Sequence, residues 1–173
     1  MHIKDWIFNR YCMRRPVRTK AFPKMEKVQR VLLLFESDLT EKNLQIKQLQ
    51  KELSQQGREV CAWGYADKKE GLSPILPSWR ILTRRDINLL GRPKSEARTS
   101  LTRQHFDLVI DLSMHDVLPL RYLLLEADGD FKAGRQTAEP YLTDLMIALP
   151  EGKDQVYLFD QIMYYLQNIQ SND

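Results

Sequence analysis

Two short runs, Arg30 to Glu36 (RVLLLFE) and Phe106 to Leu112 (FDLVIDL), constrain the fold more than any other feature of this sequence. Neither alternates between apolar and polar residues. Both therefore read as strands buried on two faces, the pattern of a parallel sheet covered on each side by helices. After the first run, Glu41 opens a helical stretch that Thr40 can cap. Ile46, Leu49 and Leu53 follow at helical spacing, and Gly57 supplies the stop. Strand character returns at Glu59 to Tyr65, far enough on for a helical crossover between parallel neighbours.

The same alternation continues. Asp67 to Pro77 is polar and rich in turn formers, so a loop is expected there. A short strand is predicted at Trp79 to Leu82 and a helix around Glu96 to Thr102. After the second apolar run, Asp116 and Pro119 open a helix reaching about Ala127. Asp128 and Gly129 then turn the chain into a brief strand over Phe131 to Gly134. A further strand is predicted over Tyr141 to Leu149. Phe159, Ile162, Met163, Leu166 and Ile169 stripe a final helix. The expectation is a three-layer, Rossmann-like α/β domain with a mostly parallel sheet over residues 24–173, preceded by a basic, helical N-terminal arm over residues 1–23.

With 173 residues, 43% of them apolar and 28% charged, the chain suits one globular domain. Its longest apolar run, Val31 to Phe35, is far short of the roughly 20 residues that span a bilayer, and no apolar signal core opens the sequence. Cys12 and Cys61 lie far apart, so reduced cytoplasmic thiols are expected. His2, His105 and His115 are too few for a multi-ligand zinc site. No metal and no cofactor are expected: no GxGxxG follows the first strand and no GxxxxGK occurs anywhere. Asp128, Gly129 and Asp130 lack the spaced ligands of a calcium loop and read as a turn.

Charge is unevenly placed. Residues 1 to 30 hold nine Lys or Arg and two acids, a balance of +7, whereas residues 104 to 173 hold four and twelve, a balance of −8. Such polarity orients a protein at an anionic surface, or lets one half dock on the other. In the arm, Ile3, Trp6, Ile7 and Tyr11 can share one helical face, with Lys4, Arg10, Arg14, Arg15 and Arg18 supplying charge. Either this face docks on a membrane, nucleic acid or acidic protein, or it packs on the domain. Docking on a membrane would make a cytoplasmic protein peripheral at the inner membrane face.

The candidates for chemistry lie at strand ends. Asp111, Ser113, His115 and Asp116 end a central strand, where open α/β sheets place their ligands. Ser37 and Asp38 hold the equivalent place after the first strand. At both ends, helix capping is the competing role. Lys132, Gly134 and Arg135 follow the next strand and can cradle a phosphate or carboxylate.

FDLVIDLS at 106–113, PLRYLL at 119–124, FKAGR at 131–135 and DLMI at 144–147, preceded by GRPKSEA at 91–97, resemble a bacterial family of short α/β proteins of unknown function. The resemblance runs from about residue 24 onward. The order of strand, loop, helix and FKAGR is also similar to the N-terminal half of heptosyltransferase-like glycosyltransferases. This chain departs from them in following its first strand with Glu36, Ser37 and Asp38 in place of a glycine-containing loop, and in lacking the nucleotide-sugar half. A complete transferase is not expected.

Two functions remain. One is a non-catalytic Rossmann-like binding or scaffold protein with a basic docking arm. The alternative is a ligand-binding or enzymatic half-domain acting on a phosphorylated or glycosylated small molecule through Asp111, Ser113, His115 and Arg135. The second requires those four side chains to meet in one pocket.

Overall fold

A computed structural model describes residues 3–13, 20–37, 40–67, 76–139 and 141–169. In chain order these form α1 (Ile3–Cys12), β1 (Arg30–Glu36), α2 (Thr40–Gln55), β2 (Glu59–Tyr65), β3 (Arg80–Leu82), α3 (Ser95–Thr102), β4 (His105–Asp111), α4 (Leu118–Glu126), β5 (Asp128–Arg135), β6 (Leu145–Ile147) and α5 (Gln155–Asn168). The strands make one sheet in the order β3-β2-β1-β4-β5-β6, with every pair parallel. This is a Rossmann-like α/β fold, and its strand order reverses direction between β1 and β4.

Helices cover both faces because both faces are apolar. Val31, Leu33 and Phe35 of β1 pack with Ile46 and Leu49 of α2 and Leu158 of α5, whereas Leu32 and Leu34 face Leu101 of α3 and Leu120 and Leu123 of α4. The helix stop predicted at Gly57 is present. Gly57 has φ +83°, its N–H donates to the Ser54 carbonyl at 3.0 Å, and the Arg58 N–H donates to Leu53 at 3.2 Å. Among the described residues no helix is long and apolar enough to cross a membrane.

The basic N-terminal segment contributes to this core. Phe8 and Cys12 of α1 are buried in the same cluster as Leu32 and Val109, and the Phe8 ring meets Tyr122 edge-on at 4.8 Å between centroids. The Arg121 guanidinium lies over the Phe8 ring at 4.3 Å and pairs with Asp5 at 3.1 Å and Glu139 at 2.5 Å. Glu126, buried at the end of α4, takes Arg92 and Arg98 at 2.6 Å each, and Arg92 also donates to the Tyr11 hydroxyl at 2.8 Å. The face that packs is therefore not the expected one. Ile3 and Trp6 point to solvent, Ile7 and Tyr11 are half-buried, and Phe8 with Cys12 forms the contact. Two apolar stripes share this helix, and Asp5 selects between them by reaching Arg121.

Four local expectations are corrected. Asp128 and Gly129 open β5 instead of forming a turn. A Cβ on Gly129 would lie 2.5 Å from Val109 Cγ2, so the glycine answers close strand packing. The strand expected over Tyr141 to Leu149 shrinks to the three residues of β6. Neither Ser113 nor Asp116 caps α4, whose N-cap residue is Val117. Lys132 is buried in the middle of β5, and its Nζ donates to the Leu124 and Leu125 carbonyls at 2.5 and 3.3 Å, closing the end of α4 rather than facing a ligand.

If α1 is an integral part of the core, Phe8→Ala removes about 3 kcal/mol of stability. The thermal midpoint is then expected to fall by roughly 6 to 12 °C in calorimetry of the full chain. A midpoint within about 1 °C of the parent's would show that α1 does not stabilise the domain.

Candidate functional site

The carboxyl ends of β1, β4 and β5 meet at the point where the strand order reverses. Side-chain alternation turns Glu36 at the end of β1 and Asp111 at the end of β4 to the α4 side, directly after the apolar residues Leu34 and Val109. Gly134 lies opposite Asp111 in the ladder. A Cβ there would sit 3.2 Å from Asp111 Cβ and 3.3 Å from its carbonyl oxygen, so the glycine lets β5 close against this end.

Asp111 Oδ1 accepts the Ser113 amide at 3.0 Å and the Ser113 hydroxyl at 2.5 Å. Burial raises the Asp111 carboxyl to about 6, against the lowering effect of the two Ser113 hydrogen bonds and of Arg135, with Glu36 adding to the rise. Glu36, also buried, accepts the His115 amide at 2.6 Å on Oε1. Its Oε2 takes Lys42 Nζ at 2.8 Å and faces His115 Nδ1 at 2.9 Å. Burial pushes Glu36 up, but hydrogen bonds from Lys42 and His115 and the Lys42 charge more than offset it, leaving the carboxyl below its ordinary value. An ionised Glu36 places the imidazole proton of neutral His115 on Nδ1 and the lone pair on Nε2. Arg135 Nη2 donates to Asp116 Oδ1 at 2.7 Å, and its Nε donates to the Ser113 carbonyl at 3.4 Å.

Asp111, Ser113, His115 and Arg135 thus line one crevice, as the small-molecule reading requires. The crevice has a volume of only about 10 Å³, room for about one water. His115 and Arg135 also border an open groove of about 520 Å³, together with Met114, Leu149 and Lys153. Ser113 is not set up as a nucleophile. Its hydroxyl is held by Asp111 two residues away, and His115 Nδ1 is engaged by Glu36. The Glu36–His115 pair does have the carboxylate–imidazole arrangement of a general base.

The remaining predicted positions lie apart. Ser37 is buried and donates to Asn43 Oδ1 at 2.9 Å, tying β1 to the side of α2. Asp38, Arg14, Arg15 and Arg18 fall outside the described residues. Arg10 stacks over the Trp6 ring at 5.6 Å on the outer face of α1. Sequence reasoning missed Glu36 as a site residue. Its signal was an acid closing an otherwise apolar two-faced strand, with Lys42 in the first turn of the next helix. At the opposite, amino end of the sheet, His105, Asp107 and Asp130 bring ligand-type atoms within 4.8 Å of one another. These groups already serve the fold. Asp107 Oδ2 accepts the Gln29 and Arg30 amides at 2.8 Å, and His105 sits between Asp128 at 3.1 Å and Asp130 at 3.2 Å. The hydrogen bond to Asp128 leads in raising the His105 pKa; burial, the next largest effect, opposes it, and Asp130 adds to the rise.

A model described as a family of unknown function (DUF6913) matches residues 3–169. The chain belongs to that family. The match takes in α1, beyond the residue near 24 from which the sequence motifs carried the resemblance. No curated protein matches the chain. Among solved structures, E. coli heptosyltransferase WaaC with ADP is similar at a TM-score of 0.52 and 16% identity, over 82% of this chain and 48% of that one. The chain spans about half the length of that enzyme, and at this identity the likeness is one of fold.

Asp111 gives a pH-dependent test. A carboxyl raised from 3.8 to about 6 contributes stability that is complete below pH 4 and is lost as pH rises through 6. Asn does not titrate and keeps an acceptor for Ser113. Asp111→Asn is therefore expected to match the parent's stability at pH 3.5 and to exceed it by up to about 3 kcal/mol above pH 7, read by urea unfolding. A gain that does not change with pH would contradict a buried, strained carboxylate at this position.

Proposed function

We propose that this chain is a non-catalytic Rossmann-like binding protein that docks on an anionic surface through the outer face of α1. One observation supports the reading above others. While Asp5, Phe8 and Cys12 hold α1 to the domain, Ile3, Trp6, Arg10 and Met13 recur at helical spacing on the opposite side, all of them exposed. A large apolar stripe with a guanidinium stacked on its tryptophan, in a segment with a +7 balance, suits an interface carrying negative charge. Bound in this way, the protein would be cytoplasmic and peripheral at the inner membrane face. The carboxyl end of the sheet is consistent with a scaffold, because its charged groups are already paired with one another and its crevice is too small for a ligand.

A second reading rests on the Glu36–His115 pair, which borders the open groove beside Arg135 and Lys153. In that case the chain is a half-domain acting on a phosphorylated or glycosylated small molecule, as the fold shared with a heptosyltransferase would permit.

Equilibrium binding and thermal shift separate the two. The docking reading expects the full chain to bind anionic vesicles or nucleic acid in a salt-sensitive manner, and Trp6→Ala to weaken that binding at least about tenfold. The second reading expects a nucleotide sugar or sugar phosphate at about 100 times its dissociation constant to add about 2.7 kcal/mol, and His115→Ala to abolish the shift. Salt-insensitive binding unaffected by Trp6→Ala, alongside a ligand shift that depends on His115, would reverse the order of the readings.

A further inference from the structure

Residues 87–93 form a small, braced projection between β3 and α3. Ile87 and Pro93 bridge antiparallel, the Asn88 amide donates to Arg92 O at 2.9 Å, and Asn88 Oδ1 accepts the Leu90 and Arg92 amides at 3.0 Å each. Gly91 takes φ +79° against Leu118, and a Cβ there would meet Leu118 Cδ2 at 2.8 Å. Arg92 then fixes the base of the projection to Glu126 and Tyr11. At its tip Leu89 is 92% exposed and Leu90 is 41% exposed. A leucine held out to solvent on a loop ordered in advance loses little conformational entropy on insertion into another phase.

The surroundings are cationic. Leu89 shares a groove of about 780 Å³ with Lys4 of α1, Arg84 and Lys94. Among the described residues neither Lys4 nor Lys94 has an acidic partner; Arg84 reaches Asp67 at 3.4 Å with both side chains exposed. Asp86 is turned inward onto the Thr83 amide and hydroxyl, which leaves Glu96 as the exposed acid at the start of α3. Lys4 lines this groove from the first turn of α1, so that turn and the loop border the same patch of surface.

We infer that the Leu89–Leu90 tip is a second insertion point and that the surface engaged is an anionic lipid bilayer. This inference rests on the docking reading of α1 and makes it specific. Lys4, Arg84 and Lys94 match headgroup phosphates, the leucines match the boundary between headgroups and acyl chains, and Trp6 is the side chain most suited to the headgroup level. A nucleic acid would use the cations but has no place for two solvent-facing leucines.

The test is sedimentation of the full chain with phosphatidylcholine vesicles, with and without phosphatidylglycerol, for the parent, Leu89→Ser and Trp6→Ala. Since Leu89 touches little of the protein, Leu89→Ser should keep the parent's thermal midpoint while its affinity for the phosphatidylglycerol vesicles falls about five- to tenfold. Unchanged affinity of Leu89→Ser beside a loss in Trp6→Ala would overturn the loop's role and leave α1 as the docking element. Failure of the parent to bind either vesicle, with salt-sensitive binding to nucleic acid, would overturn the lipid assignment while sparing an anionic partner. Unchanged binding in both variants would remove the inference and the reading beneath it.

Discussion

The pairing of β1 with β4 is the constraint on which the rest depends. Each strand carries apolar side chains on both faces, and Leu32, Leu33, Leu34, Val109 and Ile110 have no exposed surface at all. One helical layer cannot satisfy such a pair. Two layers are needed, and on the α4 side α1 completes the cover by burying Phe8 and Cys12. Within the basic arm that composition marks, α1 is thereby drawn into the core through Phe8 and Cys12, and the opposite side of this helix is left exposed.

The same burial sorts the charges. Part of the basic excess between residues 80 and 103 is used inside the molecule: Arg92 and Arg98 meet at the buried Glu126, and Arg80 lies over Trp63 at 4.9 Å. A carboxylate buried between two guanidiniums is costly to strip of either partner. The acidic last segment thus takes up part of the middle segment's basic excess at Glu126, and it meets the basic first segment where Lys20 pairs with Asp130 at 3.6 Å. What remains outside, notably Lys4, Arg10 and Lys94, lies beside exposed apolar side chains, and that conjunction gives the outer face its character.

The strands were readable in the sequence because their signal is local. RVLLLFE, EVCAWGY and FDLVIDL each announce a buried strand without reference to anything distant, and Gly57 marks its helix end by backbone geometry alone. What could not be read depends on distant partners. Phe8 prevails over Trp6 because Tyr122 and Arg121 wait more than a hundred residues away. Gly129 looks like a turn until Val109 is placed beside it. Glu36 looks like the last residue of a strand, and only the approach of His115 makes it the centre of a pair. The convergence of Asp111, Ser113, His115 and Arg135 was legible from their places at strand ends. That they mainly satisfy one another was not, because the spacing of residues does not reveal which charges neutralise which.

The fold closes the carboxyl end of its sheet with its own side chains, and the proposed docking surface is the outside of α1. Hydrogen–deuterium exchange of the full chain, with and without phosphatidylglycerol-containing vesicles, addresses both parts at once. The account predicts slowed exchange in residues 3–13 and 87–93 and no change across 111–117 or at 135. Protection centred on 111–117 and 135, with 3–13 unaffected, would contradict it and place the working surface at the sheet's carboxyl end.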